Sequence, residues 1–206
     1  MQINEFFDFS SKFLPTTVQT SGVDLAPTKS SEEKGDALNL LSGEYDGIVF
    51  PVRFQQKSGY VFHDIIGTRR TVLFLISDRM RDVLTNNDLT GWTAFPILLT
   101  DIQGRRIEGY QGLSITGRCG PVDYSKSEVI NKRLVPTGPL CKFFKGIPIG
   151  LDEWDGSDFF LPEGNYRTVV TEHAADIIKF HRLTNIELRN LAEIEVLEQA
   201  AQPSRS

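Results

Sequence analysis

The segment ISDRMRDVLTNNDLTGW, Ile76 to Trp92, has a near-copy 94 residues on: VTEHAADIIKFHRLTNI, Val170 to Ile186. In each, a short apolar run is followed by a hydroxyl residue, Ser77 or Thr171, and then by an acid, Asp78 or Glu172. A hydroxyl there accepts the free N–H groups of a starting helix, and the acid favours the positive end of its dipole. Met80, Val83 and Leu84 fall at i, i+3 and i+4, as do Ala174, Ile177 and Ile178, so each set shares one helical face. A Leu-Thr step closes both copies, followed by Gly91 in one and Asn185 in the other, residues that tolerate a positive φ.

This layout predicts two strand–capped helix–strand units, at 72–99 and 167–192, and an internal duplication. Ser77 and Thr171 are then helix caps rather than nucleophiles, each worth ~1 kcal/mol. The fold class expected is α+β: a mixed β-sheet carrying the two units, with an irregular, strand-rich N-terminal part. Residues 1–44 are expected to pack on the main body through Phe6, Phe7, Phe9 and Phe13, or to form a loose partner-binding segment. Residues 45–198 form the α+β domain, and 199–206 a flexible tail. Val49, Phe50, Val52 and Phe54 predict a strand, which Pro51 places at an edge or a bulge. TDIQGRRIEGY reads as a hairpin turning at Gly104. Residues 187–199 fit strand and helix periods equally.

Composition excludes several functions. Hydrophobic residues make up 40% and charged residues 24%, a globular balance. The net charge of -5 argues against a general nucleic-acid binder, which needs a basic face. The longest aliphatic and aromatic run, VLFLI, is far short of the ~20 residues that span a bilayer, and the start, MQINEFFDFS, is not a secretory signal. The protein is expected to be soluble and cytoplasmic. Two cysteines and three histidines show no metal-ligand spacing, and no phosphate-binding or dinucleotide motif occurs, so no cofactor or metal is expected.

Two places could carry function. In LDEWDGSDFFLPEGN, residues 151–165, acids interleave with aromatics. Asp152, Trp154, Asp155, Asp158 and Phe159 fit a partner-binding patch, with rings as anchors and carboxylates steering a basic partner. Equally, the rings could plug the core while the acids face water, or the acids could pair with the basic segment 118–145. The second place is a Gly-rich loop at 112–128. There Gly117, Arg118, Cys119 and Gly120, with His63, would make a ligand loop or a Cys/His site if brought together. A glycine turn with a small buried Cys is the simpler expectation.

The order of segments carries a further implication. HDII at 63–66 precedes LFLISDRMRDVL at 73–84, then the LTGW step, GLSITGRCGPVDYSKS, and SDFF-LPEG-NYRTVVTEHAADII. Over roughly 45–198, with Asp64, Ser77 and the apolar helix faces as matching positions, this resembles the immunity-protein family of bacterial polymorphic toxin systems. The resemblance implies a non-enzymatic α+β protein that neutralises a cognate protein toxin by direct binding. The alternatives are an enzyme or small-ligand module using 112–128, and a structural protein without a toxin partner.

Overall fold

The computed structural model describes residues 3–12, 14–23, 25, 35–68 and 72–198. From the N-terminus come β1 (Phe6–Ser11), β2 (Gln19–Gly22), α1 (Asp36–Ser42), β3 (Val52–Ser58), β4 (Ile65–Thr68) and β5 (Phe74–Ser77). Helix α2 (Asp78–Asn86), β6 (Trp92–Phe95), the hairpin β7 (Ile97–Thr100) and β8 (Arg106–Ile107), and β9 (Tyr110–Ile115) follow. Next are β10 (Gly117–Val122), a second hairpin of β11 (Glu128–Arg133) and β12 (Leu140–Lys145), and β13 (Ile149–Gly150). The chain continues through β14 (Phe159–Pro162), β15 (Val169–Thr171), α3 (Glu172–Phe180), β16 (Ile186–Asn190) and β17 (Glu195–Leu197). Both predicted units form, and the fold is α+β with mixed sheets, as expected. No helix among the described residues is long and apolar enough to cross a membrane.

The duplication extends well beyond the two units. One sheet runs β13-β10-β14-β15-β1-β16, a second β6-β9-β5-β4-β2-β3-β7-β8, and a third, three-stranded sheet runs β11-β12-β17. Read from β3 back to β6, the second sheet repeats the first strand for strand, with the same directions. The β10–β14 pair is parallel, like β2–β4; each pair flanking β15 and β1 is antiparallel, like those flanking β5 and β9. Register agrees as well: Phe9 faces Leu188 across β1–β16, and Leu113 faces Ala94 across β9–β6. Positive φ angles at Asp88 and Gly91 recur at Arg182 and Asn185.

The first strand of each repeat is exchanged. β1 opens the first repeat but lies between β15 and β16 of the second; β9 opens the second but lies between β5 and β6 of the first. The N-terminal part therefore differs from the expectation of a segment resting on the body. Its strands run inside the two larger sheets, because Phe6 and Phe9 are buried at 0% and 2% exposure on opposite faces of β1. Burying each ring is worth about 1.5–3 kcal/mol. Phe7 is half-buried with Lys179 over its ring, while Phe13 and the tail 199–206 lie outside the described residues. Pro51 sits just before β3, an interior strand rather than an edge.

A pair of carboxylates joins the repeats reciprocally. Asp64, ahead of β4, accepts from Ser77 Oγ at 2.9 Å and from Thr184 N and Oγ1 at 2.7 and 2.9 Å. Asp158, ahead of β14, accepts from Thr171 Oγ1 at 3.0 Å and from Thr90 N and Oγ1 at 3.0 and 3.1 Å. Each Asp thus holds the helix cap of its own repeat and the Leu-Thr step of the other. Ser77 and Thr171 also accept from Met80 N at 3.0 Å and Ala174 N at 3.2 Å, the capping bonds expected. Ser77→Ala loses both its cap and its bond to Asp64, so urea denaturation should show a cost of about 1–2 kcal/mol. An unchanged midpoint would remove the cap assignment.

Two apolar clusters result. The larger draws on the six- and eight-stranded sheets and both long helices, including Phe9, Ile65, Leu75, Met80, Leu113, Phe159 and Ile178. The smaller, on the other face of the six-stranded sheet, joins Phe6, Cys119, Ile147, Phe160, Val169 and Leu191. The second cluster brings β10 and the 151–165 segment together.

Candidate functional site

The acid and aromatic segment lies against the smaller cluster. Leu151–Glu153 forms a single 3-10 turn that leaves Asp152 and Glu153 exposed. Trp154 turns inward: its ring meets Phe6 edge-on at 5.5 Å and Phe160 at 5.7 Å, and Nε1 donates to Ser157 O at 3.2 Å. Phe159 is 0% exposed, so it reaches no partner, and Asp158 is occupied by the latch to Thr90 and Thr171. Both residues are therefore withdrawn from the expected patch. Of the alternatives, the rings fill the core while Asp152 and Glu153 face water. The lysines of 118–145 pair elsewhere: Lys126 with Asp123, Lys132 with Glu195, Lys142 with Glu198 and Lys145 with Glu128.

The Gly-rich stretch is not a loop. It forms the end of β9 and all of β10, and close strand packing explains its glycines. A Cβ on Gly117 would lie 1.9 Å from Ser157 Oγ and 2.2 Å from Phe159 O, and one on Gly120 would lie 3.1 Å from Gly150 Cα. Arg118 clamps the junction. Nη1 donates to Ile115 O and Gly117 O at 2.7 and 2.8 Å, and Nη2 to Ser42 O at 2.7 Å, which closes the C-terminal end of α1. The Arg118 N–H donates to Asp155 Oδ2 at 2.8 Å. Burial alone would raise the pKa of Asp155, but hydrogen bonds from Ser157 and this N–H outweigh it and hold the carboxyl below its ordinary range.

Cys119 is 4% exposed, and burial, then Asp155 and Glu153, push its thiol up to about 12. A neutral, buried thiol is a poor nucleophile. His63 stands ahead of β4 in the eight-stranded sheet, its carbonyl accepting from Tyr110 OH at 2.9 Å. The alternative Cys/His grouping is therefore not assembled; Cys119 is buried, as the simpler expectation had it, though in a strand rather than a turn. Alkylation at pH 7.5 followed by mass spectrometry should label half-buried Cys141 first and Cys119 at least about tenfold more slowly. Since the thiol titrates higher folded than unfolded, its contribution to stability is present at neutral pH. It is lost as the pH rises from about 9 towards 12.

These pieces frame a cleft of about 420 Å³ beside β10. Arg118, Cys119 and Tyr166 line it, and Glu44, Glu153 and Glu163 stand exposed at its rim. Glu153 and Glu163 against one guanidinium, itself bound to backbone carbonyls, give the cleft a negative mouth. Sequence reasoning found Arg118, Cys119 and the 151–165 segment that holds Glu153 and Glu163, but missed Glu44, which carries no motif. No protein-family model matches the chain, and no curated protein matches it.

Proposed function

We propose that this chain is a non-enzymatic, immunity-type binding protein of the bacterial cytoplasm that neutralises a cognate protein toxin by covering it. The contact face is the acid-rimmed cleft beside β10, with Asp152 and Asp155 extending the negative surface. A Lys or Arg side chain of a basic partner fits such a seat: the carboxylates steer it in and pair with it at the mouth. The observation that carries the proposal is the convergence of Glu44, from the end of α1, with Glu153 and Glu163, from the 151–165 segment, on one cleft. The order of segments that resembles the immunity-protein family points the same way. Strong protection would need an interface of ~800 Å² per partner, so the cleft is one anchor within a larger face.

The test is capture from the native cells with tagged wild-type chain beside a Glu153→Lys/Glu163→Lys variant. Wild type should recover a basic protein that is toxic when expressed alone, with binding that weakens as salt rises. Co-expressed wild type should suppress the toxicity, and the variant should not. Equal capture and equal protection by the variant would remove the cleft from the interface. A captured protein with no toxicity would remove the neutralising role.

A further inference from the structure

A second cleft, of about 430 Å³, opens on the six-stranded sheet between β1, the segment leading into β15, and the start of β5. Its floor holds Asp8, 4% exposed. Arg167 Nη1 donates to Asp8 Oδ1 at 2.6 Å and Arg189 Nη2 to Asp8 Oδ2 at 2.8 Å. Two guanidinium groups thus share one carboxylate, leaving a positive surplus. Arg189 Nε also lies 3.9 Å from Glu187 Oε2, but that pair is half in water and screened.

Three donors around this surplus have no partner among the described residues: Ser10 Oγ, Thr168 Oγ1 and Arg167 Nε. All three side chains line the cleft, and Thr168 is only 3% exposed. An unmet buried donor is costly. A fold carrying three of them in one polar hollow has donors to spare for an acceptor.

The duplication shows that the fold does not require this arrangement. Asp8 faces Arg189 across β1–β16; the equivalent pair across β9–β6 is Gly112 and Phe95. There the phenyl ring lies over the glycine so closely that a Cβ would sit 2.0 Å from it. Arg167 corresponds to Leu73, which is fully buried. Ser10 corresponds to Ser114, whose hydroxyl donates to Leu40 O of α1 and accepts from Tyr45 OH at 3.0 Å. Where the second repeat would have α1, it has the β11–β12 hairpin, so no described α-helix covers the equivalent face. One repeat closes the position with a ring and a helix; the other leaves it open and lines it with cations and donors.

We infer that this cleft binds a small oxyanion, a carboxylate or a phosphate, on the Arg167–Arg189 pair with Ser10 and Thr168 as hydroxyl donors. Guanidinium forks match the paired oxygens of either group, and the volume suits a ligand of metabolite size.

Calorimetric titration of the full chain at low salt, with inorganic phosphate and separately with benzoate, tests this directly. At least one probe should bind one site with a dissociation constant below about 1 mM. Phosphate alone would point to a phosphate ligand, and benzoate alone to a carboxylate. Thr168→Val should weaken binding about fivefold, and Arg167→Lys, which keeps the charge but loses Nε, about tenfold. Should Arg167→Lys fail to fold, the nearly isosteric Thr168→Val decides. No saturable binding of either probe would leave water as the occupant and overturn the inference. Equal binding by wild type and the folded variants would mark an adventitious ion only, and overturn it too. Both results are independent of toxin capture, which concerns the other cleft.

Discussion

Asp64→Ala is expected to destabilise the chain by about 3–5 kcal/mol, read as a lower urea midpoint with an unchanged slope. The carboxylate is 5% exposed and meets Ser77 Oγ, Thr184 N and Thr184 Oγ1. Removing it strands those donors in a buried place, which costs more than the bonds were worth net. The ion pair with Arg79 at 2.7 Å adds less, because that side chain is 52% exposed. Asp158→Ala is the control. It makes the same three bonds to its own latch but has greater exposure and no arginine, so about 1–3 kcal/mol is expected. An Asp64→Ala protein within 1 kcal/mol of wild type would mean that the latch does not hold the two repeats together.

Deletion of residues 1–12 is expected to abolish folding, seen as loss of soluble expression and of the far-ultraviolet signal of sheet. A segment that merely rested on the body could be removed at modest cost. β1 instead bonds to β15 on one side and β16 on the other, and its loss would open two edges inside a sheet. Phe6 and Phe9 would go with it, at about 3–5 kcal/mol each. Loss of Asp8 would also leave Arg167 and Arg189 without their shared carboxylate. Together these approach or exceed the 5–15 kcal/mol that holds a typical domain folded. A truncated chain that still unfolds cooperatively within ~2 kcal/mol of full length would contradict the central position of β1.

Local features were legible in the sequence, and long-range ones were not. Helix caps, apolar faces, the Gly91/Asn185 equivalence and the hairpin at Gly104 depend on neighbours a few residues apart, so their patterns are written in short words. Residues 187–199 fitted two periods because they hold a strand, a 3-10 turn and another strand. Glycines at 117 and 120 suggested a loop because composition does not distinguish a flexible turn from strands that pass too closely for a Cβ. Asp158 suggested a surface acid because a charge beside aromatics carries no mark of its partner. Yet a signal existed: Asp64, Ser77 and Thr90 are spaced by 13 residues, and so are Asp158, Thr171 and Thr184. The triad of Asp8, Arg167 and Arg189 had no such signal. Its members come from opposite ends of the chain, and only the exchange of β1 brings them together.

That exchange also governs the order of events during translation. The stretch Phe6–Ser11 leaves the ribosome long before β15 and β16, the strands on either side of it. At ordinary elongation rates the wait is on the order of ten to thirty seconds. Throughout it, a strand with three phenylalanines has no hydrogen-bonded strand neighbour in its own half of the chain. Such high contact order slows folding and leaves nascent chains open to aggregation, so this protein should depend on chaperones far more than its modest size suggests.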